Sequence, residues 1–176
     1  MSGDGVEIRE YLAGDAPALE PLYSAAFPEE DLLPLVRALH SERSGVLSLV
    51  AVADNVPAGH IVFTTCGISG NPARAALLGP LAVSSIERNR GIGGRLVKEG
   101  LSRLAAEGIR KVFVLGDPAY YGRFGFAPES DVVPPYPLPV AWRDAWQSFD
   151  LDAAETPLAG ILTVPGPWNR EALWSP

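Results

Sequence analysis

The sequence predicts one α/β (α+β) domain, a mixed and mostly antiparallel twisted sheet of about six to seven strands flanked by about four helices. Three observations predict it. The β-like segments Val46–Ala53, His60–Cys66 and Ala75–Val83 follow one another through short turns, which makes them an antiparallel meander. The helical stripe Leu96, Val97, Leu101, Leu104 and Ala105 then separates Val83 from the apolar run "KVFVL", so those two strands run parallel. Finally, 176 residues with 47% hydrophobic and 20% charged content fit a single folded unit over 1–176.

Taken in order, "VEIREY" alternates in character and reads as an opening strand. Asp15 is placed to cap a helix that has Pro17 in its first turn, runs toward Phe27, and is bent or shortened by Pro21. Leu32, Leu35, Val36 and Leu39 mark a second helix, with "PEED" placing carboxylates near its positive end. The turns "ADNVPAG" and "GISGNPAR" divide the meander. Its last strand carries Gly79-Pro80 at its centre; proline removes a ladder donor, so a bulge or a splay between the fourth and fifth strands is expected. Gly108 stops the following helix. "PAYYGRF" reads as a short helix, and five prolines between Pro128 and Pro139 make an irregular loop. Strands near Trp146–Leu151 and Gly160–Val164 return to the sheet, before a tail containing Trp168 and Trp174.

Composition narrows the function. Cys66 is the only cysteine, no apolar run approaches a membrane span, and no secretory leader is visible, so a cytoplasmic protein without a membrane partner is expected. A net charge of −7 argues against general nucleic-acid binding. Yet seven of the 14 basic residues fall between Arg88 and Lys111, against only Glu99 and Glu107. A small anionic ligand explains that concentration, and so does a solvated helix face.

Within it lies "RNRGIGGR", Arg88 to Arg95. Glycines let several amides point into one concavity at a helix start, where the dipole also favours an anion. A structural turn into the helix accounts for the same glycines. A Walker A loop is excluded by the missing lysine, and a dinucleotide fingerprint by Leu96 at its third glycine position.

Arg88-x-x-Gly91-x-Gly93 after "PLAV" resembles the acetyl-CoA signature Q/R-x-x-G-x-G/A of the GNAT N-acetyltransferases. "YGRFGF", Tyr121 to Phe126, is similar to that family's Y-x-x-x-G-F segment, and the fuller "LGDPAYYGRFGF" resembles a bacterial acetyltransferase subfamily. The resemblance covers about three quarters of the chain and implies a GNAT-like fold. It implies that an acyl-CoA donor lies along Leu81, Ala82 and Val83, with its pyrophosphate on Arg88, Asn89, Arg90, Gly91, Ile92, Gly93, Gly94 and Arg95. It implies Tyr121 as the acid that protonates the leaving thiolate, and an amine acceptor that is a small molecule, peptide or protein. Val114 stands where many relatives carry an asparagine, so no such contact is carried over.

For the base, Glu29, Glu30 and Asp31 are candidates, each equally readable as favourable charge at a helix start. His40 and His60 are isolated in sequence, no metal-ligand cluster is present, and Cys66 reads as a small buried residue. A non-catalytic acyl-CoA sensor, monomeric or homodimeric like the enzyme, is the alternative function.

Overall fold

The computed structural model describes residues 5–85, 90–152 and 157–175. The chain divides into two compact units, one holding the residues through Phe63 with Gly79–Gly100, the other Thr64–Leu78 with Leu101 onward.

In the first unit, β1 (Val6–Glu10) lies antiparallel to β2 (Val46–Ala53), with Val6 opposite Ala53 and Glu10 opposite Leu49. Asp54 and Asn55 both take left-handed backbone, φ 50° and 67°, as a tight hairpin turn requires. That turn leads directly into β3 (Val56–Ile68), so the strand starts four residues earlier than its apolar pattern indicates. Pro57 and Gly59, which read as turn residues, lie inside it. β4 (Asn71–Val83) likewise begins earlier than expected, at the Asn71-Pro72 pair.

Two helices lie between β1 and β2, α1 (Ala16–Ala26) and α2 (Leu33–His40). Pro21 is accommodated inside α1. Asp15 precedes α1 but makes no side-chain cap. Its carboxylate instead accepts from the Leu12 amide at 2.8 Å and from Arg9 at 2.8 and 2.9 Å, so the pair with β1 displaces the expected capping role. Leu19, Leu22, Tyr23 and Val36 from these helices pack with Ala82 of β4.

α3 (Ile92–Ala106) follows the described turn at Arg90-Gly91. Close approach between its first half and β3 depends on two glycines. A Cβ on Gly59 would stand 2.7 Å from Ile92 Cγ2 and 3.0 Å from Leu96 Cδ1, and a Cβ on Gly100 would overlap the Phe63 ring. At the other end of α3, Gly108 takes φ 84°; its amide donates to Ala105 O and that of Ile109 to Leu104 O, the stop expected from the sequence.

In the second unit, β4 runs parallel to β5 (Lys111–Leu115) from Ala75↔Lys111 to Leu78↔Val114. The pairing ends where β4 reaches Gly79-Pro80, the expected point of splay. β5 pairs antiparallel with β8 (Trp146–Asp150), and β8 with the two-residue β6 (Ala127–Pro128). β9 (Gly160–Thr163) pairs with the end of β3 and with the two-residue β7 (Val132–Val133). Among the described residues the sheet order is β1-β2-β3-β4-β5-β8-β6, with β9 on β3. The nine strands among the described residues exceed the expected six to seven because β6 and β7 lie within the proline-rich stretch, whose composition hides them. Phe113 stacks on Trp146 at 5.4 Å and Trp146 meets Trp174 edge-on at 5.8 Å, which packs the tail into this unit's core.

Gly100→Ala should lower the unfolding free energy in urea by about 1–3 kcal/mol, because the new methyl must displace the Phe63 ring in a filled core. A change within about 0.5 kcal/mol, the usual range for surface positions, would show that α3 does not depend on this contact.

Candidate functional site

The first unit presents its amides where a strand, a glycine turn and a helix meet. At the end of β4 the Ser84 amide donates to Ala58 O at 2.8 Å. Leu81, Ala82 and Val83 lie beyond the last β4–β5 pair; Ala82 is buried, and its neighbours are half-buried. Arg88 and Asn89 fall outside the described residues. Gly91 has φ 67°, and a Cβ there would meet nothing within 4 Å among the described residues. The turn therefore needs glycine for its backbone rather than for a close approach by any of them. α3 starts at the next residue, and Arg95 N donates to Gly91 O at 3.1 Å. The amides of Ile92, Gly93 and Gly94 precede that bond, and among the described residues these first-turn amides meet no intrahelical carbonyl. Together with the helix dipole they offer oriented donors to an anion. The Ile92 side chain is fully buried, so only its backbone can serve a ligand.

The basic run is less available than its count suggests. Arg90 lies 3.8 Å from Asp54, and Arg95 donates to Val6 O at 3.3 Å. Lys111 pairs with Glu129 at 2.9 Å and Asp150 at 3.4 Å. Part of the positive charge therefore holds the fold.

In the second unit, α4 (Pro118–Tyr121) is capped by Asp117, whose Oδ1 accepts from the Ala119 amide at 2.9 Å. The Tyr121 ring packs edge-on against Tyr120 at 5.0 Å and Phe126 at 5.7 Å. Gly116 provides its seat, since a Cβ there would stand 2.5 Å from Tyr121 Cε2. Burial, with a smaller contribution from Tyr120, pushes the Tyr121 phenol above its ordinary range. It is therefore protonated at neutral pH, and among the described residues its hydroxyl has no hydrogen-bond partner. The geometry is that of a fixed ring with an uncommitted proton.

The two histidines, isolated in sequence, are joined in space, which corrects that expectation. Tyr23 Oη lies 2.7 Å from His60 Nδ1, Ser48 Oγ 2.7 Å from His60 Nε2, and His40 Nε2 2.9 Å from the same Ser48 Oγ. Tyr11 stacks on His40 with ring centroids 3.8 Å apart. Tyr23, His40, Ser48 and His60 come from α1, α2, β2 and β3 and Tyr11 from the residue after β1, so no sequence spacing announces them. Burial, reinforced by His40, pushes His60 down to about 3 despite the opposing pull of Asp15. His60 is thus neutral, with one N–H: of Tyr23 and Ser48, one donates to it and the other accepts.

Glu29, Glu30 and Asp31 are exposed, and Asp31 Oδ1 accepts from the Leu33 amide at 3.2 Å. Cys66 is buried, its thiol pushed up to about 12 by burial, and its Sγ donates to Thr64 O. That environment makes it inert as a nucleophile. Among the described residues no group of three or more His, Cys, Asp or Glu is placed to hold a metal, and no helix is long and apolar enough to cross a membrane.

Comparison with known proteins matches the acetyltransferase (GNAT) family model to residues 16–126. The uncharacterized N-acetyltransferase YjhQ of Escherichia coli K12 is 32% identical over 166 residues, covering 90% of this chain and 92% of that protein. YhbS of the same strain is 30% identical over 168 residues, covering 93% and 98%. The crystal structure of Escherichia coli YhbS in complex with CoA superposes with TM-score 0.83 at 29% identity, covering 97% of this chain and 95% of that one. A GNAT family acetyltransferase from Brucella melitensis in complex with acetyl-CoA gives 0.75 at 28%, covering 94% and 99%.

The buried His60 sets an acid limit. An unfolded histidine takes its proton near pH 6.5 while folded His60 resists to about 3, so its stabilisation is present above pH 6.5 and is lost as the pH falls through that window. Urea unfolding should weaken by roughly 1.4 kcal/mol per pH unit between pH 6 and 5, before most carboxylates titrate. In His60→Gln that slope should shrink. A pH-independent midpoint in the native protein would show that His60 accepts a proton without unfolding.

Proposed function

The chain belongs to the acetyltransferase (GNAT) family, and on that premise we propose that it moves an acetyl or other short acyl group from acyl-CoA to an amine acceptor by direct attack in a ternary complex. The observation that carries this reading is the succession of β4, the left-handed Gly91 and the amide-rich start of α3, all inside the matched span. The CoA and acetyl-CoA present in the two structural relatives support the donor assignment.

In this reading the amides of Ile92, Gly93 and Gly94 take the pyrophosphate, with Arg90 and Arg95 adding charge from the same segment and Arg88 and Asn89 completing it. Small side chains matter less there than bare backbone, because each amide must come within about 3 Å of an oxygen. Leu81, Ala82 and Val83 pair with the pantetheine arm through their backbone. One of their amides donates to the thioester carbonyl oxygen, which gains negative charge as the amine attacks, so the interaction strengthens toward the transition state. The carbon–sulfur bond then breaks with its electron pair on sulfur. Tyr121 gives its phenolic proton to that thiolate, releasing a neutral thiol, while the proton shed by the attacking nitrogen passes to solvent, from which the tyrosinate is reprotonated. The acceptor is a small-molecule, peptide or protein amine.

The test is incubation with acetyl-CoA and a panel of small amines, peptides and proteins, following thiol release together with acylated product. Product formation is expected, and Tyr121→Phe should keep CoA affinity while lowering turnover roughly a hundredfold. Unchanged turnover would remove Tyr121 from the chemistry. CoA binding without product from any acceptor would make the chain an acyl-CoA sensor, and absence of CoA binding would defeat both readings.

A further inference from the structure

A cavity of about 640 Å³ opens in the proline-rich part of the second unit, a volume ordinary for a small-molecule site. It is separate from the surroundings of Tyr121. Trp146 lines it, and Ser148 donates to Glu129, another wall residue, whereas Phe149 packs on Phe126 and through it on Tyr121. Alternation along β8 sends Trp146 and Ser148 to one face and Gln147 and Phe149 to the other, so the cavity and Tyr121 lie on opposite faces of that strand.

Its wall leaves apolar surface in water. Val133, Val140 and Ile161, exposed by 46%, 79% and 50%, all line it, and they are three of the five large exposed hydrophobic residues among those described. The aromatic residues contribute ring surface only, because their polar ends are already satisfied. Tyr136 donates to Asn169 Oδ1 at 2.9 Å, and Trp146 Nε1 donates to Val132 O at 2.8 Å. Four prolines at 134, 135, 137 and 139 fix backbone φ along the rim, so closing on a ligand costs little ordering.

The charged groups select the sign of a ligand. Glu129 is spent: Oε1 accepts from Ser148 at 2.7 Å and lies 2.9 Å from Lys111 Nζ, while Oε2 accepts from the Asp131 and Val132 amides at 2.8 and 2.9 Å. Burial opposes its charge, but these donors outweigh that and hold its carboxyl below the usual range. It has no lone pair left for a cation. Arg143 is the one basic residue in the wall; it is exposed and has no ion-pair partner among the described residues. A planar guanidinium beside a hydrocarbon wall suits a carboxylate attached to an apolar body.

We propose that this cavity is a second ligand site, which binds a small apolar carboxylate with its hydrocarbon against Val133, Val140 and Ile161 and its anionic end on Arg143. The site is independent of the acyl-donor assignment, and it is tested without CoA. Titrating the full-length protein with 2-naphthoate, and separately with 2-naphthamide and acetate, reads the two requirements by calorimetry and by the fluorescence of the wall tryptophan. Saturable naphthoate binding is expected, about tenfold tighter than naphthamide, with no binding of acetate in the same range. Arg143→Gln should bring naphthoate to the affinity of naphthamide, and Val140→Ser should weaken both. Both positions are exposed, so an unchanged melting temperature confirms the fold of each variant. Equal affinity for acid and amide, insensitivity to Arg143→Gln, or no saturable naphthoate binding would each overturn the proposal.

Discussion

Two absent Cβ atoms fix the part of the fold on which the proposed chemistry depends. Gly59, on a strand, leaves room for Ile92 and Leu96 of α3; Gly100, on the helix, leaves room for Phe63 of the strand. The contacts are reciprocal, so the helix cannot slide along β3 without closing one of the two gaps. Ile92 is fully buried in this interlock and is also the first residue of α3. Anchoring it holds the following amides of Gly93 and Gly94 at the helix start, and leaves Gly91 to turn the chain through a conformation that other residues adopt only under strain. A packing constraint in the core thereby becomes a constraint on where an anion meets backbone donors.

The same unit tolerates a costly feature behind that strand. The Ser84–Ala58 hydrogen bond, followed two residues along each antiparallel strand, sets Ala82 beside His60. Tyr23 and His60 are almost wholly removed from water, which would be expensive if their polar atoms were unpaired, and the chain through Ser48 to His40 satisfies them. Such a network restrains the side chains as well as stabilising them, because each hydrogen bond limits the orientation of its partners. In the second unit the equivalent rigidity comes from aromatic packing. Gly116 seats Tyr121, and the Phe113–Trp146–Trp174 cluster holds β5, β8 and the tail together.

Legibility from the sequence followed the range of the interactions. Strands such as Val46–Ala53 and Lys111–Leu115 appear in the structure with the bounds their apolar patterns indicate, whereas α3 starts at Ile92 and takes Gly93 and Gly94 into its first turn. β3 and β4 begin early because Pro57, Gly59 and Pro72 carry turn chemistry locally but are accepted by strands whose pairing is set elsewhere. Asp15 looked like a cap because Pro17 follows it, yet Arg9 across the turn offers the stronger, bidentate partner. The glycine turn and Tyr121 were visible as motifs. The Tyr23–His60–Ser48–His40 chain was not, since its members come from four elements with no shared spacing. The commitment of Arg90 to Asp54 and Arg95 to Val6 was equally hidden, because charge counts do not reveal partners.

The central claim is that the backbone at the start of α3 receives the pyrophosphate of CoA. Amide resonances of Ile92, Gly93 and Gly94, followed during titration with CoA and with desulfo-CoA, test it directly, since neither acyl transfer nor an acceptor is needed. Both ligands should shift these three amides strongly and in saturable fashion, as charge-assisted hydrogen bonds form. Saturable CoA binding that leaves the three amides unmoved would contradict the account and return the glycines to the role of a turn.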